Sequence, residues 1–361
     1  MEASGEWTTF VWGRWGAVPA RKPSCHRVCA ANVRVQLEQK VRSSIESLHD
    51  HPARDRDPAA DEEQPVFLVG PARSGTSLVY KVLCLHPEAA YISNYLARYP
   101  RRWSLGALDR IARRMPERTR SVWFSGGDNA YVYGRSRPLH ERLFPMPVEG
   151  EPVYEACGIG QDGISQYEPK GDVRPNHALH DAFAAIRRSA GGSFLVNKRI
   201  ANNRRIELLA ATFPSARFIS LVRDGRAVAY SLSRVDWWET STVWWYGGTP
   251  EQWRAEGRDP WELCARNWVE EMEAMDTGLA TLDPSRVLRL SYESFVTDPH
   301  DALERMASFG GFAPSDGWSR SVRALSFPNR NESWQQALEP AAIDTITGIQ
   351  SELLERHGYD R

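Results

Sequence analysis

The chain has 361 residues, a formal net charge of −1, 42% hydrophobic and 25% charged residues. That balance is ordinary for a globular protein able to bury a core, and it excludes a broadly basic surface for a polyanion, so no nucleic-acid partner is expected. No apolar run approaches the roughly 18 residues of a membrane span, and no basic start leads into an apolar stretch, so neither a span nor a secretory signal is expected. The five cysteines never form a Cys-x-x-Cys pair. Cys25-His26…Cys29 is the one close grouping and no second pair follows it, so neither a disulfide framework nor a metal site is expected. Together these features favour a cytoplasmic protein.

Residues 1–64 read as an N-terminal extension, partly disordered. It holds the basic run Arg21–Arg27, one weak helix over Val33–Leu48 and a polar linker, His49–Glu63. Residues 65–361 read as one folded domain. Val66-Phe67-Leu68-Val69 is a continuous apolar run closed by Gly70-Pro71, the pattern of a strand buried on both faces. Leu78, Val82 and Leu85 recur at helical spacing until His86-Pro87 stops the helix.

Arg98–Arg120 is basic and carries a helix over Leu105–Arg114, while Pro138–Pro175 is Gly/Pro-rich and reads as a loop. Phe194-Leu195-Val196 is a second strand, followed by a helix with Ile206, Leu209 and Phe213 on one face. Arg217–Val222 is a third strand, Gly225–Ser233 opens a helix, and Cys264, Trp268, Met272, Met275 and Leu279 stripe another. Val287–Leu290 is a fourth strand, and Ile346, Ile349 and Leu353 mark a closing helix. Strands alternating with helices predict an α/β fold: a P-loop-type three-layer sandwich with a central parallel sheet between helices.

Gly70-Pro71-Ala72-Arg73-Ser74-Gly75-Thr76-Ser77 joins the first strand to the first helix. Backbone N–H groups at such a turn, with the helix dipole, cradle a phosphate. Gly-x-x-x-x-Gly fits a Walker A loop, yet Thr76 stands where its lysine belongs, and the cation is Arg73 instead. Arg223 ends the third strand and Ser231 follows eight residues on, about two helical turns into the next helix. Ligands of open α/β sheets bind at the carboxyl ends of strands, so a forked guanidinium and a hydroxyl there suit a second phosphate.

On these two motifs the chain resembles the PAPS-dependent sulfotransferases, in particular the bacterial and tyrosylprotein-type branch; PAPS is 3′-phosphoadenosine 5′-phosphosulfate. Three further stretches share the likeness: Val196-Asn197-Lys198…Arg205-Ile206, Leu290-Ser291-Tyr292-Glu293…Asp298-Pro299, and Glu332-Ser333-Trp334…Gly358-Tyr359. The likeness spans about 65–361 and is weak over 100–190. It implies sulfuryl transfer from PAPS to a hydroxyl or amine of a small-molecule, glycan or lipid acceptor, with no metal. It also implies that Arg73, Ser74, Gly75, Thr76 and Ser77 hold the 5′-phosphosulfate and that Arg223 and Ser231 hold the 3′-phosphate.

Sulfuryl transfer is in-line, with negative charge gathering on the bridging oxygen, so positioning and electrostatics dominate. Arg73, a forked permanent cation, is the expected stabiliser. Lys198 either contacts the leaving side or is a solvated strand-end lysine. Relatives of the tyrosylprotein type carry a glutamate about twenty residues past the loop arginine. This chain has Ser93 or Asn94 there. Glu155 is the expected replacement base, ahead of Glu149, His140 and His177. Trp237-Trp238 and Trp244-Trp245-Tyr246 either line an acceptor pocket or belong to a core or a protein surface. The rival readings are a P-loop kinase, which Thr76 opposes, and a catalytically weak or inactive nucleotide-binding relative, which the missing glutamate favours.

Overall fold

A computed structural model describes residues 63–124, 139–160 and 173–360. The expected extension, with Cys25, Cys29 and the helix over Val33–Leu48, lies outside the described residues, except for its last two positions. Glu63 is 3% exposed and takes a bidentate ion pair from Arg187 at 2.7–3.0 Å, which fixes the chain just before the first strand.

Five parallel strands form one sheet in the order β2-β3-β1-β4-β5. They are β1 (Val66–Val69), β2 (Ala89–Tyr91), β3 (Phe194–Lys198), β4 (Arg217–Val222) and β5 (Val287–Ser291). The six helices used below are α1 (Thr76–Cys84), α2 (Glu151–Ala156), α3 (His177–Ala190), α4 (Gly225–Leu232), α5 (Pro260–Ala280) and α6 (Pro340–Arg356). The predicted parallel α/β sandwich is the observed fold.

β1 is apolar throughout because both of its faces are covered. Phe67 and Val69 join a core with α3, α5 and α6, and Val66 and Leu68 join the opposite one with α1. The Phe67 ring stacks on Phe218 of β4, with centroids 5.4 Å apart. Burying side chains of this size contributes about 1.5–3 kcal/mol each, which makes the central strands the rigid part of the scaffold. A third cluster, with Leu232, Trp238, Trp253, Cys264 and Ile346, joins α4 to α5 and α6.

Strand β2 escapes the sequence reading because three residues show no periodicity. Pro138–Pro175, expected as a loop, contains the short helix Leu139–Arg142 and α2 among its described residues. The segment before α2 docks on the chain beyond β2: Val148 donates its N–H to the Ile92 carbonyl at 2.9 Å, and Asn94 donates to the Met146 carbonyl at 3.0 Å. The predicted helix over Leu105–Arg114 is a 3₁₀ turn, Trp103–Leu108, running into an α-helix, Asp109–Arg114. No helix among the described residues is long and apolar enough to cross a membrane.

Candidate active site

The chain leaves β1 toward β3 and β2 on one side, while β4 and β5 lie on the other. That reversal is a topological switch point, where the carboxyl ends of β1 and β4 open a crevice. The loop 70–75 crosses it. Gly75, the residue before α1, has φ 83°, and a Cβ there would lie 2.5 Å from the Tyr292 ring, so only glycine fits. Gly70 approaches the chain as closely: an added Cβ would lie 2.4 Å from the Leu221 carbonyl oxygen. Its N–H donates to Asn203 Oδ1 at 2.9 Å.

Arg73 has φ 67°, the one positive φ among described non-glycine residues. Left-handed backbone costs a Cβ-bearing residue about 1–2 kcal/mol. Its Nε donates to Ser231 Oγ at 2.9 Å. Arg223 Nη1 donates to the Arg73 carbonyl at 3.0 Å. The two motifs thus meet in one place. Arg223 also donates to Asn331 Oδ1 at 3.1 Å and the Arg330 carbonyl at 3.0 Å, and its Cζ lies 4.4 Å from the Tyr292 ring centroid. Burial lowers the Arg223 pKa from its ordinary value, while Tyr292, Glu293, Asp224 and Tyr359 act against that shift.

Asp224 caps α4 through the Arg226 N–H and pairs with the Arg226 side chain at 2.9 Å. Its own N–H donates to Glu293 Oε1 at 3.1 Å, and Tyr359 donates to Glu293 Oε2 at 2.9 Å. Burial, with Glu293 next in weight, raises the Tyr359 pKa. Asp224 and Glu293 therefore hold the end of β4. Among the described residues no cluster of His, Cys, Asp and Glu suits a metal.

Ser74 is fully buried, and its hydroxyl has no hydrogen-bond partner among the described residues. An anionic oxygen in the loop would satisfy it, so the donor set fits a phosphate or phosphosulfate. Thr76 opens α1 and is 2% exposed. Lys198 lies across from Leu68 in the register, is 2% exposed, and points to the loop side: its Nζ is 3.4 Å from Ser77 Oγ. It is therefore no solvated strand-end lysine. Its Nζ also pairs with Glu149 Oε1 at 2.5 Å.

Glu155 is exposed on α2, whereas Tyr154 beside it is buried and donates to Asn197 Oδ1 at 2.8 Å. His177 begins α3 and is exposed. The side chain of His140 lies outside the described ones. Ser93 is buried, and Asn94 is occupied by carbonyls: Nδ2 donates to those of Arg142 and Phe144, both at 3.2 Å.

The tryptophans divide. Trp238 and Trp253 are core, and Trp237 is 46% exposed. Trp244 donates to Glu271 Oε1 at 2.9 Å, and Glu271 Oε2 accepts from Asn203, the residue that holds Gly70. Sequence reasoning assigned no role to Asn203, Tyr292, Arg330 or Asn331. Tyr292 falls in a stretch that shares the family likeness, but its place against Arg223 is visible only in space.

The model of the Sulfotransferase family matches residues 152–316. Over that stretch the chain is similar to the sulfotransferase family. It is 23% identical over 320 residues to the omega-hydroxy-beta-dihydromenaquinone-9 sulfotransferase Stf3 of Mycobacterium bovis and to that of Mycobacterium tuberculosis, covering 83% of this chain and 76% of each relative. It also matches the crystal structure of the sulfotransferase STF9 from Mycobacterium avium, with a TM-score of 0.53 and 16% identity, covering 91% of this chain and 82% of that one. That likeness supports the same fold.

Proposed function

We propose that the protein is a sulfotransferase that binds PAPS across the β1–β4 crevice and passes its sulfuryl group to a hydroxyl or amine of a small, apolar acceptor. One observation carries the donor assignment: Arg73, Ser231 and Arg223 form a single hydrogen-bonded group over the loop. Arg73, Ser74, Gly75, Thr76 and Ser77 surround the 5′-phosphosulfate in this reading, and Arg223 and Ser231 hold the 3′-phosphate. Because Arg73 reaches Ser231, its guanidinium spans the gap between the two anionic groups and can neutralise both.

Lys198 sits beside Ser77 and stabilises charge on the transferred group or the bridging oxygen. An apolar, hydroxyl-bearing acceptor is supported by the relatives, named for a hydroxylated menaquinone derivative. The exposed Trp237, soon after α4, offers such an acceptor an aromatic surface.

Calorimetry tests the donor site. The protein is expected to bind adenosine 3′,5′-bisphosphate more tightly than ATP or AMP, since the bisphosphate alone offers both separated phosphates. Preference for ATP with a magnesium requirement would sink the reading.

A further inference from the structure

We propose that Glu149 is the catalytic base on the acceptor side, with Lys198 as its positioning partner; this rests on the sulfuryl-transfer reading of the site. Three glutamates lie close together in the chain here. Glu155 is exposed, and Glu151 is engaged with Arg199 and lies 3.8 Å from Arg205. Glu149 is linked to α1 through Lys198, whose Nζ lies 2.5 Å from its carboxylate and 3.4 Å from Ser77 Oγ. Its side chain is 25% exposed, open enough to meet a second substrate and closed enough to be held.

The backbone around Glu149 is fixed on both sides. Val148 donates to Ile92 at 2.9 Å, and the Glu149 carbonyl accepts from Asn197 Nδ2 at 3.3 Å. Gly150 follows at φ 78°, and a Cβ on it would lie 2.7 Å from Ile92. Ser93 or Asn94 stands where the resembled relatives carry a glutamate, and the segment ending at Glu149 is docked on this stretch, bridged at Ser93–Pro147. The carboxylate arrives from the neighbouring segment instead of from the strand end itself.

In the reaction, an acceptor lone pair forms the new O–S bond as Glu149 takes the acceptor proton. The bond from sulfur to the 5′-phosphate oxygen breaks, and its electron pair leaves with adenosine 3′,5′-bisphosphate. The protonated carboxyl then returns its proton to water.

The test uses the full chain, ³⁵S-labelled PAPS, and three acceptors: 1-octanol, 4-nitrophenol and water. Glu149→Gln is expected to lower transfer to 1-octanol by about 10²–10⁴-fold, the range for loss of general base catalysis. The loss should be smaller with 4-nitrophenol, whose hydroxyl is more acidic. Bisphosphate affinity should stay within about threefold, because that ligand makes no demand on a base. Glu149→Ala should recover rate with added formate, and Glu155→Gln should stay within about twofold of wild type. An unchanged rate in Glu149→Gln, or a rate loss matched by lost bisphosphate affinity, overturns the assignment. A wild-type protein that binds the bisphosphate but releases label into no acceptor also overturns it, while the donor site stands. Failure to bind the bisphosphate overturns the proposed function itself.

Discussion

Arg73 Nε donates to Ser231 Oγ at 2.9 Å, so the loop after β1 and the second turn of α4 are tied through the groups proposed to hold separate phosphates. Either substitution alone strips a partner from the other. In a double-mutant cycle on bisphosphate binding, Arg73→Ala and Ser231→Ala should therefore be non-additive, with a coupling of about 0.5–3 kcal/mol. Additive losses would mean that the two residues act on the ligand independently.

Arg223 is buried among the Arg73 carbonyl, the Arg330 carbonyl, Asn331 and the Tyr292 ring. A guanidinium fixed this way costs nothing further to orient when a phosphate arrives. Arg223→Ala should weaken bisphosphate binding by about 1.5–3 kcal/mol, as for other hydrogen bonds to charged groups. Calorimetry with AMP, which lacks the 3′-phosphate, is the control. Equal losses for both ligands would show that Arg223 serves only to hold the loop and the Asn331 segment.

β1 is readable to the residue because a strand buried on both faces is a continuous apolar run, and β4 because its largely apolar Phe218–Val222 ends at the Arg223-Asp224-Gly225 turn. The loop and Arg223 were readable because local spacing encodes a strand end, a turn and a helix start. Ser231 was placed correctly on α4, but its contact with Arg73 was not foreseeable from two segments so far apart. Nothing in the local sequence says that the segment ending at Val148 docks on Ile92, or that Glu155 falls on the exposed side of α2.

Asp276 on α5 accepts from His357 Nε2 at 2.8 Å and pairs with Arg289 at 3.0 Å. Burial would raise its pKa, but His357 and Arg289 outweigh burial and hold it below the ordinary value. A depressed folded-state pKa means that ionised Asp276 stabilises the fold above its unfolded pKa, and that this stability is lost as pH falls through the folded value. Melting temperatures should show Asp276→Asn less stable than wild type at neutral pH, with the gap closing as the medium is acidified below the usual carboxylate range. A gap that is independent of pH would remove the charge from the explanation.

Gly75 is the hinge of the loop, with φ 83° and the Tyr292 ring where a side chain would go. Gly75→Ala should lower the melting temperature by displacing Tyr292, and with it the face that Arg223 rests on. Bisphosphate affinity should fall too, although no ligand-contacting side chain is removed. Retained affinity in a folded Gly75→Ala protein would show that Tyr292 does not support Arg223.

Arg73 offers a way to separate backbone from side chain, because it holds a left-handed conformation that its Cβ resists. Residues kept in such backbone persist where the surroundings over-determine them, and they cluster at functional sites. Alanine and glycine substitutions both delete the guanidinium and the bond to Ser231, so their difference isolates the backbone. Arg73→Gly should be more stable than Arg73→Ala by about 1 kcal/mol, measured by denaturant unfolding. Both should lose transfer at saturating PAPS by about 10²–10³-fold, by analogy with removal of one donor aimed at developing charge. Arg73→Lys should recover part of the rate, since charge survives while the fork that reaches Ser231 is lost. If Arg73→Gly were stable and still turned over normally at saturating PAPS, Arg73 would be a cation that only tethers α4, and Lys198, 3.4 Å from Ser77, would carry the stabilisation of the transferred group.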